Sequence, residues 1–386
     1  MKQKLLLSLV LFLLFSCKFK QMQDTTTVRP VPVRPLVDAN ATSETVALYN
    51  KMDSLLQVGI MLGHQDDLAY GHDWYNEPGR SDVHSVTGKY PAIVGWEIGH
   101  IELDAAYNLD SVYFTHMKRY IREAHTMGAI NTISWHGDNI ATGGSAWDCG
   151  QDTVVKSVLP GGIHHEKFLT WLDKIAAFFL DLKDDEGKPI PVLFRTYHEH
   201  TGDWFWWGSR QTTPEEYCRL WTMTVEYLRD NCNVHNVLYA ISPSSVQTVE
   251  QYLERYPGNA YVDIVGFDYY ANGESEEQNP EKTAAQIERY KVNLKTNLDI
   301  VTTYAAKAGK IAALTETGME RFPYPTYFTD AVYNTVKDYK ISYLLFWRNA
   351  YTRPTHYYVP YPEGRGTEDF RTFVAEPKIL TADNIK

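Results

Sequence analysis

Eight short apolar runs recur along the chain, separated by stretches in which apolar residues return every three or four positions. The runs occupy residues 59–63, 92–96, 129–135, 192–197, 237–241, 262–267, 311–314 and 342–347. Each is too short for a helix, and most lack the polar alternation of a strand with one wet face, so they read as strands buried on both sides. Between them the period is helical. Tyr113, Met117, Tyr120, Ile121 and Ala124 share one face, as do Tyr217, Leu220, Trp221, Thr224, Val225 and Leu228. Pro214 followed by Glu215 and Glu216 marks a helix start. Eight strand–helix alternations predict a (β/α)8 TIM barrel forming a single domain over residues 39–386. A doubly wound open sheet is the alternative, weakened because no Gly-rich phosphate fingerprint follows the first strand.

The ends of these runs are not ordinary turns. They read His64-Gln65-Asp66, Trp96-Glu97, Trp135-His136-Gly137-Asp138-Asn139, His198-Glu199, Asp268-Tyr269-Tyr270, Glu316 and Trp347-Arg348-Asn349. In a barrel these positions converge on the C-terminal face, where active sites lie. The fourth end continues through Thr201-Gly202-Asp203 into Trp204-Phe205-Trp206-Trp207-Gly208. Gly202 and Asp203 interrupt the run as in a loop, so its tryptophans are read as presented to a ligand rather than packed in a core strand. Aromatic rings beside a carboxylate suit a sugar, whose C–H face stacks on them. Glu199 and Glu316, ending the fourth and seventh strands, face each other across the predicted barrel mouth. Two facing carboxylates are the machinery of glycoside hydrolysis: one holds a proton for the leaving oxygen and the other attacks the anomeric carbon.

Charge and composition narrow this further. The net charge of −11, with no basic patch interleaved with aromatics, argues against nucleic acid as a partner and suits a neutral polysaccharide. At the N-terminus, Lys2 and Lys4 precede an apolar run from Leu5 to Phe15, too short to span a bilayer as a mature helix. It ends in Leu14-Phe15-Ser16-Cys17, which resembles a bacterial lipoprotein cleavage box. Residues 1–17 are thus expected to be a lipoprotein signal peptide, with Cys17 the lipidated first residue of the mature chain. Residues 18–38, with Pro30, Pro32 and Pro35, read as an extended tether. The residues after Cys17 lack an acidic run, which favours an outer-membrane anchor facing the periplasm. Cys149, Cys218 and Cys232 remain. Cys218 and Cys232 fall about four turns apart on one helix, roughly 20 Å, beyond disulfide reach, and are expected to be buried free thiols. No His, Asp, Glu or Cys set has metal-ligand spacing, so neither metal nor other cofactor is expected. Residues 137–164 form a long connection, read as one wall of a cleft with Trp147 as a sugar platform. His164-His165 reads as the start of the next helix rather than a metal pair.

Arg195-Thr196-Tyr197-His198-Glu199-His200-Thr201-Gly202-Asp203-Trp204-Phe205-Trp206-Trp207-Gly208 resembles the acid/base signature of glycoside hydrolase family 26, most of whose members are β-mannanases. Thr315-Glu316-Thr317-Gly318 is similar to the family's nucleophile segment. The resemblance implies Glu199 as acid/base and Glu316 as nucleophile. It implies that His198 contacts the 2-hydroxyl at subsite −1, and that Trp204 lies on the leaving-group side. Tyr270 would hydrogen-bond the nucleophile, with Tyr269 the alternative in an ambiguous doublet. Trp347 would stack under the −1 sugar, Arg348 would donate on the glycone side, and His136 matches the family's strand-three histidine. Thr196 departs from the usual Pro, and His200-Thr201 from the more frequent apolar-Asn pair, which bears on the leaving-group side. The expectation is a monomeric, retaining endo-β-1,4-mannanase acting on β-mannan, galactomannan or manno-oligosaccharides. An exo-acting, mannobiose-releasing enzyme and a β-glucanase of the same family are the alternatives. Outside that class stand a lipid-anchored glycan-binding protein on an inactive barrel and a metal-dependent barrel hydrolase.

Overall fold

Strands that are apolar on both faces need two cores, and the chain supplies them. In the computed structural model, which describes residues 33–271 and 279–386, all eight predicted strands form: β1 (Ile60–Gln65), β2 (Ile93–Glu97), β3 (Ile130–Trp135), β4 (Val192–Thr196), β5 (Val237–Ile241), β6 (Ile264–Tyr270), β7 (Ile311–Gly318) and β8 (Tyr343–Phe346). Each pairs in parallel with its sequence neighbours, and β8 pairs with β1, so the sheet closes into a (β/α)8 barrel. One face of each strand fills the barrel with residues such as Met61, Ile93, Leu193, Ile264, Ile311, Ala313, Tyr343 and Leu345. The other face, with Leu62, Val192, Phe194, Val265, Phe267, Leu314 and Phe346, packs under the surrounding helices.

The helical faces predicted from periodicity are the buried ones. In the helix Phe114–Thr126, Met117, Tyr120, Ile121 and Ala124 are buried, while Tyr113 caps it and is exposed. Pro214–Glu226 begins with a capping box between Thr213 and Glu216 and buries Tyr217, Leu220, Trp221, Thr224 and Val225. It runs on into a wider turn, Tyr227–Asn231, so Cys232 caps the end of the helical segment that contains Cys218. All three described cysteines are free, and they are half-buried rather than buried. His164 and His165 do open a helix, His165–Leu180, and a short helix, Val154–Val158, interrupts the long connection before it.

The helix Ser43–Leu55 and the segment before it carry no strong sequence signal but close the barrel's N-terminal end. Leu48, Tyr49 and Met52 join the barrel interior. Residues 33–38, assigned to the tether for their proline, are docked there too. The Val37 amide donates to Asp263 Oδ1 (2.8 Å), Arg34 pairs with Asp53 (2.7 Å), and Asp38 pairs with His235 (2.7 Å). These contacts, with Val37 and Asp38 buried, move the start of the folded unit ahead of residue 39. The signal segment, Cys17 and the tether up to residue 32 lie outside the described residues. Among the described residues, no helix is long and apolar enough to cross a membrane.

Candidate active site

Strand alternation decides which residues reach the barrel mouth, and β7 needs an irregularity to bring Glu316 there. Ile311 and Ala313 point inward, so an unbroken strand would aim Glu316 outward beside Leu314. Instead Leu314 pairs with Phe267 and Glu316 with Asp268, leaving Thr315 as an extra residue. The same slip appears against β8, where Leu344 pairs with Leu314 but Phe346 with Thr317. This bulge reverses the phase and turns Glu316 inward. Along β6, alternation from inward Ile264 carries Asp268 and Tyr270 to the interior. Tyr269 turns outward, its ring stacked on Tyr290 (5.3 Å) and its hydroxyl accepting from Asn293 (2.9 Å). The Tyr-Tyr ambiguity therefore resolves to Tyr270, whose hydroxyl donates to Glu316 Oε2 (2.7 Å).

Glu199 is placed by a strained exit from β4. Tyr197 and Glu199 both adopt left-handed backbone conformations, φ 47° and 52°, each costing roughly 1–3 kcal/mol for a non-glycine residue. Tyr197 packs outward, its hydroxyl bonded to Thr224. The Glu199 amide donates to the Ser242 carbonyl (2.7 Å), which fixes the turn. Gly202 is required three residues on, because a Cβ there would collide with the indole of Trp204. With that ring lying on bare backbone, its N–H donates to Glu199 Oε2 (2.7 Å).

The two carboxylates share the floor of a cleft of about 820 Å³ lined also by His136, Trp147, His198, Trp204, Tyr270 and Trp347. Oxygens of Glu199 and Glu316 approach within 4.8 Å. Their surroundings differ. Among the described residues the Glu199 carboxylate is bonded only to the neutral indole, and burial, reinforced by the charge of Glu316, pushes it up to about 7. Glu316 is ion-paired with Arg195, which rises from β4 and also binds Asp268 (2.9 Å) and Ser242 (3.0 Å). Asp268 is held in turn by the Thr315 hydroxyl (2.6 Å), the bulge residue. Arg195 and Asp268 thus position Glu316. Both appeared in the strand-end and motif patterns, without an assigned role.

The histidines are shifted in opposite directions. His136 Nδ1 donates to Glu97 Oε2 (2.7 Å), and its own amide donates to Oε1 (2.8 Å). Burial opposes its charge, but the Glu97 carboxylate outweighs burial and holds its pKa up. Burial and then Arg195 hold His198 well below the usual histidine range, so it is a neutral imidazole, set edge-on to His136 at 4.5 Å. Glu97 ends β2 and is the orienting group that sequence reasoning noted only as a strand end.

The aromatic run divides. Trp204 is 41 % exposed and Trp147 50 %, the latter stacked on His136 at 5.0 Å. Trp206 and Trp207 are fully buried and donate to the carbonyls of Gly137 (2.9 Å) and His198 (2.8 Å). The segment is a loop, but these two tryptophans are core residues rather than presented to a ligand, and they brace the wall from behind. Arg348 is the other departure. Trp347 keeps the inward phase of Tyr343 and Leu345 and lines the cleft, but Arg348, one residue on, turns to Asp110 (2.9 Å) and is not among the lining residues.

Among the described residues, one acidic group, Glu199, Asp268 and Glu316, could surround a cation. Arg195 already supplies positive charge to two of the three, and its guanidinium would repel a metal ion. The donor set therefore fits an arginine-neutralised carboxylate site rather than a metal centre.

A closed parallel barrel carrying a carboxylate pair, an arginine-held partner and exposed tryptophans at its C-terminal mouth defines a barrel glycosidase. The chain belongs to glycosyl hydrolase family 26, whose family model matches residues 37–344. It is similar to the structure of a family 26 beta-mannanase from Bacteroides ovatus, with 43 % identity and a TM-score of 0.83, covering 89 % of this chain and 96 % of that one. It is also similar to a modular endo-beta-1,4-mannanase from Cellulomonas fimi, at 33 % identity and TM-score 0.79, covering 92 % of this chain and 78 % of that one. Against a mannan endo-1,4-beta-mannosidase of Bifidobacterium adolescentis it is 33 % identical over 90 % of its own length, and it spans 36 % of that protein.

Proposed function

We propose that the chain is a retaining endo-β-1,4-mannanase working by double displacement. Glu316, as the carboxylate paired with Arg195, attacks the anomeric carbon while protonated Glu199 gives its proton to the departing glycosidic oxygen. A glycosyl ester on Glu316 results, and the leaving oligosaccharide departs as a neutral alcohol. Glu199, now ionised, takes a proton from water as that water attacks the same carbon, releasing the sugar with net retention and regenerating both carboxyls. The observation that carries this reading is the pair of oxygens within 4.8 Å, one on an arginine-paired carboxylate and the other on a carboxyl pushed up to about 7. A close approach of this kind supports retention, since inversion needs the two carboxyl groups roughly 6.5–9.5 Å apart to admit a water.

Mannan as substrate is supported by the names of the relatives and by His198, a buried imidazole lining the cleft beside Glu199, which on the family resemblance would meet the axial 2-hydroxyl that distinguishes mannose from glucose. A time course of product sizes on unbranched mannan and on galactomannan tests it. Early release of mixed long oligosaccharides is expected. Mannobiose as the sole early product would favour the exo-acting alternative, and no cleavage of either polymer would refute the proposal.

We further infer a lipid anchor at Cys17 in the bacterial cell envelope, facing the periplasm, from the cleavage-box resemblance alone. Cys17→Ser should release the protein from membranes on fractionation. Unchanged partitioning would refute the anchor, and protease shaving of intact cells that removed the protein would overturn the periplasmic orientation.

A further inference from the structure

Gly309, in the left-handed conformation (φ 68°), ends the helix Pro280–Ala308, and Lys310 directly precedes β7. Lys310 therefore sits at the base of the barrel, at the other end of β7 from Glu316. A hollow of about 500 Å³ opens there, lined by Arg229, Asn259, Ala308 and Lys310, with residues 35–37 as one wall. Lys310 is only 5 % exposed. Its carbonyl accepts from Arg34 (3.1 Å), but among the described residues nothing pairs with its ammonium group. Asp263, whose charge reaches it, has both oxygens committed to amides, those of Val37 (2.8 Å) and Tyr239 (2.9 Å). Burial pushes the Lys310 ammonium below the usual lysine range. A buried cation without a partner costs free energy that an incoming anion recovers.

The neighbours sort into used and unused groups. Arg229 is spent, holding Asp230 through two bonds (2.7 and 2.6 Å) and the Val37 carbonyl through a third (3.1 Å). Asn259 accepts from the hydroxyls of Tyr256 (2.9 Å) and Tyr304 (3.1 Å), which leaves its amide NH2 as a donor beside Lys310. The helix end at Ala308 adds the opposite charge, since its last carbonyls have no partner within the helix. One hollow thus offers donors for an anion and acceptors for a cation. Those are the two charged groups of phosphoethanolamine.

The place of the hollow indicates what brings such a group. The chain that walls it leads back to Cys17, 33 − 17 = 16 residues before Val33. Sixteen residues reach at most about 55 Å when extended, so an anchor there keeps the barrel base near the bilayer. The net charge of −11 gives no general attraction to an anionic surface, so contact calls for a discrete site. We propose that the hollow binds a phosphoethanolamine headgroup of the anchoring membrane, its phosphate on Lys310 and Asn259, with the catalytic cleft opening away from the bilayer. The inference rests on the lipid-anchor reading.

The test uses the purified chain from residue 17 onward carrying Cys17→Ser, which has no anchor, and measures flotation with vesicles. Vesicles of phosphatidylethanolamine and phosphatidylglycerol should carry it, and vesicles of digalactosyldiacylglycerol, which hold no phosphate, should not. Lys310→Met should weaken binding to the phospholipid vesicles about tenfold, as loss of one hydrogen bond to a charged group implies, and Lys310→Arg should restore it. Asn259→Ala, at an exposed position, should weaken it severalfold without disturbing a buried side chain. Tm and kcat/KM on mannan should stay at parent values, because none of these residues lines the cleft. Equal flotation of the parent, Lys310→Met and Asn259→Ala, or flotation of the parent with phosphate-free vesicles, would overturn the site. If inorganic phosphate raised the Tm of the parent but not of Lys310→Met, and no vesicle bound, the ligand would be free phosphate and the headgroup would be withdrawn. The anchor itself is tested on fractionated cells, so either reading can fail alone.

Discussion

Glu199 and Glu316 carry the same side chain and lie within 4.8 Å of each other, yet the protein surrounds them differently. Glu316 reaches the cleft through a bulge and is met by an arginine and a tyrosine hydroxyl. Glu199 reaches it through two left-handed residues and is met by one indole N–H. Burial pushes Glu199 up to about 7, while Glu316 sits against a guanidinium, and these different surroundings support the proposed division into acid and nucleophile.

The comparison breaks most completely at Glu316. Glu316→Ala removes the attacking atom, so turnover on mannan and the covalent intermediate should both vanish. Azide could yield at most the α-glycosyl azide by direct displacement. Glu199→Ala should lower kcat on mannan by roughly 10²–10⁴-fold, the usual worth of general acid catalysis. On a substrate with an activated leaving group it should still form the glycosyl-enzyme, which accumulates until azide releases it as the β-glycosyl azide. Turnover of the Glu199→Ala variant that azide leaves unchanged would refute the acid/base role.

Tyr270→Phe sharpens the comparison from the nucleophile's side. It removes one hydrogen bond to a charged group and should lower kcat roughly tenfold or more. Tyr269→Phe, on the outward face, should change kcat little. Equal effects from the two would contradict the strand phase.

Glu199 also makes the comparison visible in pH. Its folded value near 7 lies above that of an exposed glutamate, so kcat/KM should fall as pH rises through about 7. The same sign governs stability. The protonated form is favoured by folding, so its contribution is present at low pH and lost as pH rises through about 7. Glu199→Gln should therefore raise Tm at pH 8 and leave it unchanged at pH 4. A Tm gain that is equal at both values would point to another cause.

The eight strands were legible because a barrel strand is buried on both sides and its apolar run is uninterrupted. The polar ends of β6 and β7 were read as following the strands, whereas Asp268, Tyr270 and Glu316 belong to the ladders themselves. Glu316 faces the cleft because of the Thr315 bulge, which no residue pattern announces. The aromatic run was legible as an unusual feature but not by facing. Trp204 and Trp207 differ in facing because the chain from Gly202 onward is an irregular loop, which leaves no period to count. Trp207→Ala should cost stability, about 3–5 kcal/mol for a buried tryptophan. Trp204→Ala should cost activity and little stability, and chemical denaturation with kinetics on mannan separates the two. Arg348 was placed by motif position, but its rotation one residue past inward-facing Trp347 follows from strand phase. The docking of residues 33–38 depends on Asp263, Asp53 and His235, contacts distant in sequence and invisible to local composition.

The most direct test of the two-glutamate account is the configuration of the first sugar released. Wild-type enzyme acting on an oligomannoside in an NMR tube should give the β-anomer at the new reducing end before mutarotation sets in. An initial α-anomer would mean a single displacement by water, and the roles of Glu199 and Glu316 would both have to be withdrawn.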